Sequence, residues 1–243
     1  MTADTPFDAM FSGVIGREYQ MLKLICPFAA EMSRLVGAEV GTYCRTRDTL
    51  AQVVELGGGT GITTLSILTA ADNLTVFSVD NEPTMQAQAR ESLSHWADLG
   101  RLAFCGDDAL TALRGLATAS VDVVASAYTL HNFQCDYRRD VLVEIYRILK
   151  NDGRFVCGDR YALDDIPAHT RNTQREVAGY FETLTGINRL DLLEHWIIHL
   201  FSDESEDHIM REGLALRQMA EIGFRELTLT HRLDVNALVT AVK

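Results

Sequence analysis

The segment Val53-Val54-Glu55-Leu56-Gly57-Gly58-Gly59-Thr60-Gly61 most narrows what this chain can fold into. An apolar, β-type run passes straight into a glycine-rich turn, and a helical pattern begins near Ile62. Glycines at such a turn permit positive φ and remove Cβ atoms, so a ligand can lie against bare backbone. A dinucleotide-binding turn reads G-x-G-x-x-G, its third glycine allowing close helix packing and its helix N-terminus holding a pyrophosphate. Here Ile62 occupies that sixth position, which disfavours an NAD-like ligand. Glu55, just before the turn, offers a carboxylate to a cationic, amine-bearing ligand.

From about residue 51, short β-type runs alternate with longer helical patterns. The runs are AQVVEL, LTVFSV, RLAFC, VDVVASA and RFVCGD, and the closing pair is FRELTLTHR and NALVTAVK. Strands alternating with 3.6-period segments predict βαβ units. The expected fold is α/β: a doubly wound, seven-stranded, mostly parallel sheet with N-terminal helices and a helical cap insertion. After Asp80, Pro83 suits a first helical turn, with Met85, Ala89, Leu93 and Trp96 on one face. After Cys135, Val141, Leu142, Ile145, Ile148 and Leu149 share a face, and Lys150-Asn151-Asp152-Gly153 reads as a terminating turn.

We expect a single domain over 1–243. Residues 11–48 form a helical lead-in, 50–160 a ligand-binding core and 160–210 a polar helical cap. Residues 211–243 supply a closing helix, expected around 207–222, and a strand hairpin. Because the cap follows the fifth strand, it is placed to cover the carboxyl edge of the sheet, where open α/β folds bind ligands.

Acids recur in order at strand ends. Asp80, followed by Asn81, ends the second strand at the distance from the glycine turn where an acid meets ribose hydroxyls. Gly106-Asp107-Asp108-Ala109 follows the third strand and offers an acceptor and a backbone N–H to an adenine edge, with Asp107 read as a helix cap.

A net charge of −12 opposes a phosphate backbone, so a small-molecule partner is favoured over nucleic acid. Five scattered cysteines suggest neither disulfides nor a cysteine-rich zinc site. With no spanning segment or signal core read from the sequence, the expected location is the cytoplasm. Apolar surface expected on the lead-in helix would suit a homodimer.

These motifs resemble the class I S-adenosylmethionine-dependent methyltransferases over roughly residues 50–160. ELGGGTG is similar to their first motif, VDNEPTM to the acidic loop, GDDAL to the adenine loop and ASAYTLHNF to the fourth-strand segment. The resemblance implies S-adenosylmethionine as cofactor and S-adenosylhomocysteine as product. It implies contacts from Glu55, Gly57, Gly58, Gly59, Gly61, Asp80, Asn81, Asp108, Ala109 and Ser126. The layout is also similar to the carboxy-S-adenosylmethionine synthases of tRNA modification, which implies a cofactor contact from Tyr19. Those enzymes use a cap arginine; Leu192-Leu193-Glu194-His195-Trp196 has none, and Ala127 stands in place of their asparagine. Arg189 or Arg171 would have to compensate. Methyl transfer to a small molecule is therefore the first reading, the synthase activity the second, and a non-catalytic binding protein the third.

Methyl transfer needs alignment in a dry pocket, and a base only when the nucleophile arrives protonated. His131, just past the fourth strand, is the candidate to orient or deprotonate the acceptor. Tyr128, Asp159, Arg160, Tyr161, His195 and His199 are candidate acceptor contacts. His195 and His199, four apart on one helix face, could ligate a metal with Asp203 or His208. We read them instead as cap residues, with no metal.

Overall fold

A computed structural model of the chain describes residues 28–243. Tyr19 and the first part of the lead-in lie outside the described residues. Helix α1 (Phe28–Arg45) leads into β1 (Ala51–Leu56), α2 (Ile62–Ala70), β2 (Leu74–Val79), α3 (Pro83–Ser92), α4 (Ser94–Asp98) and β3 (Leu102–Cys105). Then come α5 (Ala109–Arg114), β4 (Val121–Ala127), a 3₁₀ turn (Leu130–Asn132), α6 (Cys135–Ile148) and β5 (Leu149–Arg160). The chain closes with α7 (Ile166–Gly186), α8 (Leu190–Asp203), α9 (Glu212–Ile222), β6 (Arg225–Leu233) and β7 (Asn236–Val242).

The seven strands form one sheet in the order β3-β2-β1-β4-β5-β7-β6. The first five are parallel; β7 runs antiparallel to β5, and β6 antiparallel to β7. This is the α/β fold expected from the alternation. Strand order reverses between β1 and β4, so two crossovers leave that point in opposite directions and open a crevice at the strands' carboxyl ends. Val53, Ala125 and Val156 pack under α1 and α2 on one face, while Val54, Val124 and Phe155 pack under α6 and α9 on the other. A smaller cluster of Tyr180, Leu184, Leu192, Leu193, Trp196 and Leu200 joins α7 to α8.

Three local expectations need correction. Lys150–Gly153 does not close a turn after α6. It is drawn into β5, where the register against β4 shifts and Asp152 takes a left-handed φ of 62°. The helix after Asp80 breaks at Leu93, whose N–H caps Ala89, so Trp96 belongs to a second, shorter helix. The closing helix begins at Glu212 rather than 207, because Arg211 is held in a bridge to Ala162.

Candidate functional site: a cleft at the carboxyl ends of the strands

A cleft of about 1110 Å³, counting the open space at its mouth, lies over the carboxyl ends of β1, β2, β4 and β5. Its floor is the glycine turn. The N–H groups of Gly57 and Gly58 donate to Val79 O at 2.8 and 3.2 Å, fixing the turn to β2. A Cβ on Gly57 would lie 1.8 Å from Thr129 Oγ1, and one on Gly58 2.1 Å from Ser78 Oγ, so these two glycines exist to let neighbours close in. Gly59 differs: at φ +53° its Cβ position meets nothing nearer than Met85 Sδ at 3.9 Å, leaving bare backbone on the cleft.

Asp80 also lines the cleft. Its Oδ2 accepts the Gly59 N–H at 2.7 Å and its Oδ1 the Glu82 N–H at 2.8 Å. Burial pushes its carboxyl up, opposed by those two amide hydrogen bonds. Each oxygen retains acceptor capacity for a ligand hydroxyl. Asn81 and Ala109 line the cleft as well.

Four expected cofactor contacts stand elsewhere. Asp108 is the cap of α5, accepting Thr111 N–H at 3.0 Å and the Tyr137 hydroxyl at 2.9 Å, while Asp107 lines the cleft. Asp108, not Asp107, is the helix cap. Glu55 is fully buried beneath the turn, accepting the Thr64 hydroxyl at 2.6 Å, and does not border the cleft. Burial pushes its carboxyl up to about 7, against hydrogen bonds from Thr64 and Ser78. Ser126 is buried and donates to Leu56 O at 3.2 Å. Gly61, at φ +93°, makes room for Leu93 behind the turn.

Beside the glycine turn, the segment after β4 delivers Tyr128, Thr129 and His131. Tyr128 adopts a φ of 52°, a strained backbone of the kind that clusters at functional sites, and its hydroxyl donates to Asn236 Oδ1 at 2.9 Å. His131 lines the cleft, and its Nδ1 lies 2.5 Å from Asp159 Oδ1. Asp159, at the end of β5, is wholly buried and also accepts the N–H groups of Leu130 and Arg160, each at 2.8 Å. Burial opposes its ionisation, but the facing His131 ring and these donors hold its carboxyl below the usual range. Asp159 thus positions His131 and does not itself line the cleft.

The roof comes from α7 and α8. Arg160 pairs with Glu176 at 2.6 Å, Asp203 at 3.5 Å and Glu204 at 3.6 Å. Tyr180 donates to Glu176 at 2.6 Å, and Trp196 packs edge-on against His199. His199 lines the cleft, whereas His195 is exposed and turned to its own helix carbonyl, Asp191 O. Tyr161 is in the core. Both were expected at the acceptor, and neither lines the cleft. The sequence reading missed Glu176, Tyr180 and Trp196 as cleft residues. The spacing of Glu176 and Tyr180, one helical turn apart, was the only signal.

Residues 53–153 match a methyltransferase domain family. Over that stretch, from β1 into β5, the chain is similar to methyltransferase domains. Such domains take S-adenosylmethionine as methyl donor and release S-adenosylhomocysteine, as the sequence motifs imply. The bare backbone at Gly59 and the spare acceptors on Asp80 fit that group.

Solved structures show the same fold. An O-methyltransferase family protein from Burkholderia thailandensis is 18% identical, with a TM-score of 0.65 over 94% of this chain and 59% of that one. The CurJ carbon methyltransferase is 16% identical, with a TM-score of 0.67 over 94% and 59%. PigF with SAH is 16% identical, with a TM-score of 0.64 over 99% and 63%. This chain therefore spans about three fifths of the length of these relatives. No curated protein matches it. Among the described residues, no helix is long and apolar enough to cross a membrane.

Proposed function

We propose that the chain is an S-adenosylmethionine-dependent methyltransferase acting on a small-molecule acceptor whose nucleophile arrives protonated, such as a hydroxyl. The observation that carries this reading is the His131–Asp159 pair, 2.5 Å apart at the carboxyl ends of β4 and β5, with His131 lining the cleft. Asp159 holds the Nδ1–H tautomer, an assignment made from that hydrogen bond, and so leaves Nε2 as a proton acceptor on the cleft. Gly59 and Asp80 would hold the cofactor, which supplies an electrophilic methyl group on a sulfonium when bound. His131 orients the acceptor's hydroxyl and takes its proton as the oxygen becomes the nucleophile. Tyr180, Trp196 and Phe133 line the cleft and keep the reacting atoms away from bulk water.

The carboxy-S-adenosylmethionine synthase reading has less support. It needs a free arginine for an extra carboxylate. Arg160, the arginine lining the described cleft, is already taken by Glu176, Asp203 and Glu204, and Arg189 is paired with Asp191. A purely binding role would leave the His131–Asp159 pair without a task. A cytoplasmic location and a homodimer remain part of the proposal; light scattering in solution tests the latter.

The test is transfer of labelled methyl from S-adenosylmethionine to a panel of small hydroxylated acceptors. A turnover-competent acceptor should lose about a hundred- to ten-thousand-fold in kcat with His131→Ala while cofactor affinity holds. Unchanged turnover would remove His131 from the chemistry.

A further inference from the structure

His131 and His199 reach the acceptor end from opposite sides, one from the turn after β4 and the other from α8. Asp203 lies one helical turn beyond His199 and so shares its face. One ligand atom from each of the three lies within 4.8 Å of the others, and all three residues are buried. The pair that faces one point is thus His131 with His199, since His195 is exposed.

Two further observations point to a ligand at this point. Asp203 is only 7% exposed, yet its Oδ1 has no hydrogen-bond partner among the described residues and stands 3.7 Å from His199 Nε2. Its other oxygen faces Arg160. Charge among the described residues points the same way. Asp159, Glu176, Asp203 and Glu204 face two guanidiniums, Arg160 and Arg138, and the rings of His131, His169 and His199, which leaves two negative charges unbalanced when the imidazoles are neutral. Buried charge of one sign without a counterion is costly.

We propose that His131 Nε2, His199 Nε2 and Asp203 Oδ1 form a three-ligand site for a divalent transition-metal ion, with open positions toward the acceptor. Two imidazoles and one carboxylate are the ligand set that zinc and ferrous iron accept with coordination sites to spare, whereas magnesium prefers all-oxygen sites. Bonds of about 2.0–2.2 Å around a tetrahedral ion place ligand atoms about 3.3–3.6 Å apart, so the 3.7 Å pair on α8 is nearly in position. Asp159 completes the arrangement. A ligating histidine characteristically gives its second ring N–H to a carboxylate, which fixes the ring and strengthens the nitrogen that binds. With the ion bound, His131 Nε2 would be a ligand in place of the base, and the ion would lower the pKa of a bound acceptor hydroxyl so that its proton leaves to solvent before the methyl group is transferred. That use rests on the methyl-transfer reading; the site itself does not.

The experiment is a calorimetric titration of metal-stripped, tag-free protein with zinc alone, with magnesium as the comparison. Wild type should bind one zinc per chain at micromolar affinity or tighter and should ignore magnesium. Saturating zinc should also raise the Tm by about 5–10 °C, because the ion ties α8 to the end of β4. Asp203→Asn and His199→Ala should each weaken zinc binding about a hundred-fold, and His195→Ala should leave it unchanged. Should wild type take up no zinc, or should the His195→Ala protein lose it, the site is overturned. Titration of the same stripped protein with S-adenosylmethionine reads the methyltransferase proposal separately.

Discussion

At the residue scale, Glu55 and Asp159 show two opposite ways of burying a carboxylate. Glu55 sits in apolar surroundings with two hydroxyl donors, and burial raises its folded pKa to about 7. Its ionised form is therefore disfavoured by folding. Stability should fall as pH rises from the unfolded carboxylate value toward 7, by about 3 kcal/mol in all, and then level off. Glu55→Gln should flatten that slope, as thermal melts at pH 5, 6, 7 and 8 would register. Asp159 and Glu176 are held below their usual values despite burial, by His131 and Arg160 respectively. Their contribution is present above the unfolded pKa and is lost as pH falls through the folded one, so it disappears on the acid side, below about pH 4. Asp159→Asn should remove it and also release the His131 tautomer, lowering kcat more than KM in a steady-state assay. Which residue of the Asp107-Asp108 pair caps and which faces the cleft was not legible in sequence. Both can cap a helix, and the choice depends on where the loop turns.

Among the elements, the contact of α1 with α2 depends on Gly37 and Gly41, one turn apart on α1. A Cβ at Gly37 would come within 2.6 Å of the Ser66 backbone, and one at Gly41 within 2.7 Å of Ala70 Cβ. Gly37→Ala should destabilise by about 1–3 kcal/mol through overpacking, despite alanine's better helix propensity, as urea unfolding would measure. Gly100→Ala meets nothing within 4 Å and should cost only the left-handed backbone strain, about 1 kcal/mol. Strand limits were legible almost residue by residue, since Val, Leu and Phe runs bounded by turns leave a parallel sheet few options. The Lys150–Gly153 bulge was not, because turn-forming residues also suit a bulge. Nor was the rotation of α8. Helical spacing places His199 and Asp203 on one face but not His195 outside the cleft, and only packing of Leu192, Trp196 and Leu200 against α7 settles that.

For the whole molecule, the sheet supplies one wall of the cleft and the cap helices α7 and α8 the other. Gly59, Asp80 and His131 stand on loops at strand ends, where the reversal of strand order opens the crevice. Glu176, Trp196, His199 and Asp203 come from two helices joined chiefly by their own small apolar cluster. The sheet half was readable because each motif lies close to the strand that carries it. The cap half was not, because its cleft residues converge from helices whose docking no local pattern specifies. The central claim is tested most directly by calorimetric titration of the protein with S-adenosylmethionine, with NADH as the comparison and Asp80→Asn as the control. Micromolar binding of S-adenosylmethionine alone, weakened at least ten-fold in the variant, is the predicted result. Preference for NADH, or S-adenosylmethionine binding that ignores Asp80→Asn, would contradict it.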